Sequence, residues 1–200
     1  MPRLVLGSRN KKKLRELVEL LGDLVPDLTD LTPYPDAPEV DETGTTFEEN
    51  AKLKATTLAV ALGVWVLGED SGLCVPVLGG APGVYSARYA GEHGNDAANN
   101  AKLLQELAPY SGEQRPAYYV STAALSDPTG KVVGVVAGQC WGRIVSTPRG
   151  TGGFGYDPLF EILEYHATFG ELSATVKHAL SHRGRAATKL RPILREHFPT

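Results

Sequence analysis

Several short stretches of this 200-residue chain carry side chains that could do chemistry. Ser8-Arg9-Asn10-Lys11-Lys12-Lys13 lies between an apolar run and a helical pattern, so the backbone N–H groups of a helix start stand beside lysines. Such a turn is a natural seat for phosphate. It is no Walker loop, because GxxxxGK[ST] is absent. Glu69-Asp70-Ser71-Gly72 follows the apolar run 64–67, and α/β sheets usually place ligands at the carboxyl ends of such strands. With Asp41 and Glu42 upstream, oxygen ligands for Mg2+ become available, a cation that takes one or two carboxylates with water and phosphate. Gly150-Thr151-Gly152-Gly153-Phe154-Gly155 fits GxGxxG, yet a dinucleotide fingerprint must open a helix, and Pro158 disfavours helix at Asp157. A loop presenting Phe154, Tyr156 and Asp157 is expected there instead. Ser181-His182-Arg183 places two donors behind an N-cap serine, with Lys177 just upstream. Each stretch alone has a plainer reading as solvated surface, a polar turn or a glycine-rich turn over core aromatics.

The elements that must hold these residues follow from periodicity. Leu14, Leu17, Val18 and Leu21 mark one face of a helix that Gly22 can end. Thr45 or Thr46 can cap a second helix, with Glu48 or Glu49 closing a capping box, and that helix runs to Gly63. The strand at 64–67 is expected to break at residues 68–72, with 73–75 extended again, and residues 79–91 to form a glycine-rich loop. A third helix is expected at residues 95–107, with Asp96 near its positive end. Residues 117–125 and 132–145 read as long strands around the turn Asp127-Pro128-Thr129-Gly130. Residues 159–162 are short and apolar. The last helix spans about 182–198, and Pro192 is expected to kink it or end its first part. Helices alternating with strands, plus one hairpin-like pair, indicate α/β with a mixed sheet. No internal repeat or long linker divides the chain, so residues 1–200 are expected to form a single domain.

Composition bounds the rest. Apolar residues make up 42% and charged residues 22%, close to the soluble average. The apolar stretch 58–67 is far shorter than the ~18 residues of a spanning helix. No signal peptide is expected, because residues 9–13 interrupt the apolar start, and Cys74 and Cys140 read as reduced cytosolic thiols. The histidines and cysteines lack zinc-site spacing. A net charge of −3 argues against a nucleic-acid coat, but it hides an order. Residues 1–20 are basic, residues 23–50 hold nine acids and no Lys or Arg, and residues 171–200 turn basic again. Beside solvated faces of different sign, that order suggests a phosphate grip from the ends and a metal grip from the middle.

Taken in order, the motifs closely resemble the Ham1-like, or inosine triphosphate pyrophosphatase, family. They are Ser8-x-Asn10-x-x-Lys13, Asp41-Glu42-Thr43-Gly44-x-Thr46-Phe47-x-Glu49-Asn50-Ala51, Asp70-Ser71-Gly72-Leu73 and Gly79-Gly80-Ala81-Pro82-Gly83-Val84-Tyr85-Ser86-Ala87-Arg88-Tyr89. Gly152-Gly153-Phe154-Gly155-Tyr156-Asp157-Pro158, Lys177 and Ser181-His182-Arg183 complete the series. Two positions depart from the family pattern: Ser8-Arg9-Asn10 stands for Thr-Gly-Asn, and Glu69 for an aspartate. The resemblance implies an elongated mixed sheet flanked by helices, two lobes with a substrate cleft between them, and a cytoplasmic homodimer. It implies Mg2+-dependent hydrolysis of ITP, dITP and XTP to monophosphate and pyrophosphate, with neither nucleic acid nor membrane as partner. In that scheme Asp70 is catalytic, and Asp41, Glu42 and Asp70, with Glu69 a further candidate, hold the metal. Ser8, Arg9, Asn10, Lys11, Lys12, Lys13 and Ser71 bind substrate, as do Phe154, Gly155, Tyr156, Asp157, Lys177, His182 and Arg183. Two readings compete with it: a nucleotide sensor without turnover, and a hydrolase using Ser71 or Cys74 with His182. The second lacks a Gly-x-Ser-x-Gly elbow.

Overall fold

Residues 3–199 are described in the structure, a computed structural model. The elements run β1 (Leu4–Leu6), α1 (Lys11–Leu21), α2 (Phe47–Leu62), β2 (Trp65–Cys74), α3 (Asp96–Leu107), β3 (Pro116–Ser126), β4 (Val132–Ile144), β5 (Phe160–Ile162), β6 (Ala167–Thr168), α4 (Ala174–Leu180) and α5 (His182–His197). The six strands form one sheet in the order β1-β2-β3-β4-β5-β6. β1 is parallel to β2, while β4-β5 and β5-β6 are antiparallel. The sheet is mixed, as the alternation of patterns indicates.

Local chemistry sets the helix ends. Asn10 caps α1 by accepting from the N–H groups of Lys12 and Lys13, and Gly22 ends it. Thr46 and Glu49 form a reciprocal capping box on α2, and Gly63 closes that helix at φ 64°, a conformation glycine adopts without a Cβ penalty. Asn95 caps α3.

The structure corrects several expectations. β2 does not break at residues 68–72 but runs unbroken from Trp65 to Cys74, because its buried carboxylates find partners on neighbouring elements. The glycine-rich loop at 79–91 contains a 3-10 turn, Gly83–Arg88. Of the two effects expected of Pro192, ending the first part of the last helix does not occur, since α5 continues to His197. Proline removes one hydrogen bond there, while Leu190 and Leu194 pack into a core on both sides of it. The short helix α4, capped by Ser173, has too few residues to show a period.

The chain divides into two compact units, Met1–Asp70 with Ser121–Gly138 and His182–Thr200, and Ser71–Val120 with Gln139–Ser181. The first is built around Leu4, Leu6, Leu17, Leu21, Leu125, Leu190 and Phe198. Two glycines let its helices approach the sheet closely. A Cβ at Gly68 would lie 2.1 Å from the Ala51 carbonyl oxygen, and one at Gly138 would lie 2.1 Å from that of His182. These approaches press α2 onto β2 and α5 onto β4. The second unit is built around Leu73, Leu103, Leu107, Tyr119, Phe160 and Phe169. The rings of Tyr119 and Phe160 meet edge to face at 4.8 Å between centroids. Cys74 and Cys140, neither in a disulfide, are both buried in this unit. Among the described residues, no helix is long and apolar enough to cross a membrane.

Candidate active site

Successive residues of a strand face opposite sides, so β2 sends Glu69 and Asp70 to different neighbours. Asp70 meets α2. Asn50 and Lys54, one turn apart on that helix, each hold one carboxylate oxygen. Asn50 Nδ2 donates to Oδ2 at 3.1 Å, and Lys54 Nζ donates to Oδ1 at 3.3 Å. Lys54 also reaches Glu42 Oε1 at 3.0 Å, so one buried ammonium joins both carboxylates. The Glu42 loop is docked by the same helix, since Asn50 Oδ1 accepts from the Gly44 N–H at 2.8 Å. A Cβ at Gly44 would lie 2.6 Å from that oxygen, which restricts the position to glycine. Burial pushes the Asp70 carboxyl above its ordinary value, against the pull of Lys54 and Lys13. Burial acts to lower Lys54, but Asp70 and Glu42 outweigh it and hold the ammonium above the usual lysine value.

Glu69 meets a different set. Its Oε1 accepts from Arg183 Nη2 at 3.0 Å and Nε at 3.3 Å, and from Ser121 Oγ at 2.8 Å. Its Oε2 stands 2.7 Å from Lys13 Nζ. Arg183 pairs through Nη1 with Glu16 as well. Burial pushes Glu69 up, yet Arg183 and Lys13 hold it well below the usual carboxylate range. The Arg183 guanidinium thus spends three of its donor groups inside this network.

The phosphate-seat turn is equally committed. Ser8 Oγ accepts from the Asn10 N–H at 3.1 Å. Lys11 pairs with Asp30 at 2.7 Å and donates to Thr32. Arg9 reaches the carbonyls of Leu31 and Pro35 at 3.4 and 3.5 Å. Lys11 and Arg9 therefore tie down the segment 30–35, Lys13 faces Glu69, and the Lys12 side chain is exposed.

As to a metal, no three carboxylate, histidine or cysteine side chains stand together as a cation site among the described residues. Glu42 and Asp70, bridged by Lys54, suit a hard cation that takes its other ligands from water and phosphate. Asp41 is exposed, and Glu69 already faces two cations, Lys13 and Arg183, where Glu42 and Asp70 share the one ammonium of Lys54.

In the second unit, Asp157 is the hinge of the loop. Its Oδ2 accepts from the Phe154 N–H and from Lys177 Nζ, both at 2.7 Å. A Cβ at Gly153 would fall 1.9 Å from that oxygen, so only glycine lets the turn close there. Lys177 Nζ lies 5.1 Å from the centre of the Phe154 ring, a cation–π contact. Tyr156 differs from its neighbours: its ring is buried and its hydroxyl donates to the Ser86 carbonyl at 2.9 Å. Ser71 is half-buried on β2. His182 and Arg183 are buried in the first unit, at the start of α5.

Sequence reasoning did not single out Asn50, Lys54 or Glu16 as site residues. The signal for the first two was a pair of polar residues four apart on the apolar face of α2. Nothing local marks Glu16, whose partner is 167 positions away.

Residues 4–193 match the Ham1 family. A dITP/XTP pyrophosphatase of Geobacter sulfurreducens is 52% identical over 194 residues, covering 97% of each chain. One of Rhodopirellula baltica is 54% identical over 191 residues, covering 96% of this chain and 92% of that one. Among solved structures, a HAM1 protein from Coxiella burnetii superposes with a TM-score of 0.87 at 39% identity, covering 98% of this chain and 100% of its own.

Proposed function

The chain belongs to the Ham1 family, and on that premise we propose that it is a nucleoside triphosphate pyrophosphatase acting on dITP, ITP and XTP with Mg2+. The products are the nucleoside monophosphate and pyrophosphate. The observation that carries this reading is the buried Asp70 carboxylate, gripped by Asn50 and Lys54 and joined through Lys54 to Glu42. Relatives named dITP/XTP pyrophosphatase supply the substrate class.

Asp70 orients the attacking water and takes its proton, and a carboxylate with a raised pKa is a stronger base for that step. The water oxygen bonds to the α-phosphorus, the bond from that phosphorus to the bridging oxygen breaks, and pyrophosphate leaves. Lys54 holds Asp70 in place and offsets negative charge beside it. Lys12 and Lys13 neutralise phosphate charge, which is the larger part of phosphoryl-transfer catalysis. Glu42 and Asp70 would hold Mg2+, which supplies charge neutralisation at the phosphate oxygens when bound.

Phe154 offers a face for purine stacking. The Asp157 carboxylate accepts a hydrogen bond from the N1–H that hypoxanthine and xanthine carry and adenine lacks. A polar group left unpaired by the wrong base discriminates by up to about 10⁴-fold. Lys177 pairs with Asp157 and holds its carboxylate in place. Arg183, committed to Glu69 and Glu16, acts as a strut behind Lys13. The same reading includes a cytoplasmic homodimer, which sedimentation and cell fractionation check.

The test is a nucleotide panel with separate detection of pyrophosphate and orthophosphate, with and without EDTA. Pyrophosphate released from dITP, ITP and XTP, and abolished by EDTA, is the expected result. Orthophosphate as the only product, or turnover untouched by EDTA, overturns the assignment.

A further inference from the structure

The loop that carries Phe154 and Asp157 is held from outside as well as by its own turn. Gly155 lies between these two residues at φ 62°, a left-handed conformation that any residue with a Cβ resists. Two side chains of α3 grip its peptide groups. The Gly155 N–H donates to Asp96 Oδ2 at 3.0 Å, and the Gly155 carbonyl accepts from Asn100 Nδ2 at 3.0 Å. Asp96 and Asn100 are four residues apart, hence on one face of the helix. The neighbouring Asn99 secures α3 in turn, accepting from the Ala90 N–H at 2.7 Å and donating to the Ala87 carbonyl at 3.3 Å. All of these residues belong to the second unit.

A hydrogen-bond partner at each end of one residue fixes both flanking peptide planes. The Gly155 N–H lies in the peptide after Phe154, and the Gly155 carbonyl lies in the peptide before Tyr156 and Asp157. Rotating either peptide would turn the Phe154 ring relative to the Asp157 carboxylate. The internal bond from Phe154 N–H to Asp157 closes the turn but does not set the Gly155 dihedral angles by itself.

We propose that Asp96 and Asn100 are positioning residues for purine selection, clamping Gly155 so that the Phe154 ring and the Asp157 carboxylate meet the base together. The proposal rests on the purine-reading role given above to Phe154 and Asp157. In this reading the clamp residues act through Gly155 rather than by contact with the base or the phosphates. Their removal weakens recognition of the base and leaves the hydrolytic step at Asp70 alone.

The experiment measures kcat and KM for dITP, dGTP and dATP in the parent protein and in Asn100→Ala, Asp96→Ala, Asp96→Asn and Phe154→Ala, with thermal unfolding of each. Loss of one positioning hydrogen bond is expected to raise KM for dITP about tenfold in each alanine variant of the clamp. In the same variants kcat stays within about twofold, and the preference for dITP over dATP narrows, because selection resides in differential binding. Asp96→Asn keeps an oxygen acceptor for the Gly155 N–H and restores the parent KM. That rescue separates a positioning hydrogen bond from general damage to α3, since a folding defect would lower the thermal midpoint and active fraction without changing the preference among bases. If Phe154→Ala loses base preference while both clamp variants keep it, the clamp proposal is overturned and the purine-reading role survives. If the parent shows no preference for dITP, or Phe154→Ala leaves it unchanged, the purine-reading role fails and the clamp falls with it.

Discussion

Asp70 and Glu69 are adjacent carboxylates with opposite electrostatic fates. Burial dominates at Asp70 and raises it, whereas two cations win at Glu69 and hold it ionised. In the proposed mechanism the first takes a proton from water, while the second anchors Lys13 and Arg183. Asp70→Asn should therefore lower kcat for dITP by about 10²–10⁴-fold while circular dichroism and thermal midpoint stay near the parent values. Glu69→Gln should act through stability instead. It leaves Arg183 and Lys13 in a buried setting without their counter-charge, a change that costs about 3–5 kcal/mol, read as a lower urea midpoint.

Elements differ in how legible they were. The end of α1 at Gly22 and both ends of α2 could be read because their capping residues lie within a turn of the ends they cap. The course of β2 could not. A run of glycine, two acids and serine looks like a loop until its partners are known, and Ser121 and Arg183 lie 52 and 114 positions from Glu69. The motif residues of the candidate site were recognisable by type, but their commitments were not: Arg183, Lys11 and Arg9 face protein groups far along the chain. Close approach at glycine was hidden for the same reason. Gly68→Ala pushes α2 away from β2, and with it the two residues that hold Asp70. Overpacking of this kind is expected to cost about 1–3 kcal/mol and to lower kcat as well. Gly138→Ala, under α5, should cost a comparable amount of stability with a smaller effect on kcat. Chemical denaturation and steady-state kinetics on the two variants provide the comparison.

For the whole molecule, part of the basic, acidic, basic order of charges is a pairing scheme within the first unit. Arg191 pairs with Asp23, Lys11 with Asp30, and Arg183 with Glu16. In the phosphate-seat turn itself, Lys13 is paired with Glu69. Each unit also has a buried carboxylate held below its ordinary value. Burial acts to raise both, but Lys11 and Thr32 outweigh it at Asp30, and Arg143 and Arg149 at Glu161. A carboxyl that is lower in the folded state contributes its stability in full above the unfolded value of about 4, and loses it as pH falls through the native one. Urea midpoints measured from pH 7 to pH 3 should fall most steeply below about pH 4, and Glu161→Gln should flatten that fall.

The chain's two sulfhydryls, Cys74 and Cys140, are both buried in the second unit, and the first unit has none. Burial also pushes the Cys74 thiol up, against a hydrogen bond with Tyr118, so little thiolate is present near neutral pH. Modification by an aromatic disulfide should accordingly wait on opening of that unit, with a rate that reports its local unfolding free energy. Denaturant dependence of that rate, set against the slope for global unfolding, then measures how much of the molecule must open with it. No cysteine has to be introduced to make the measurement.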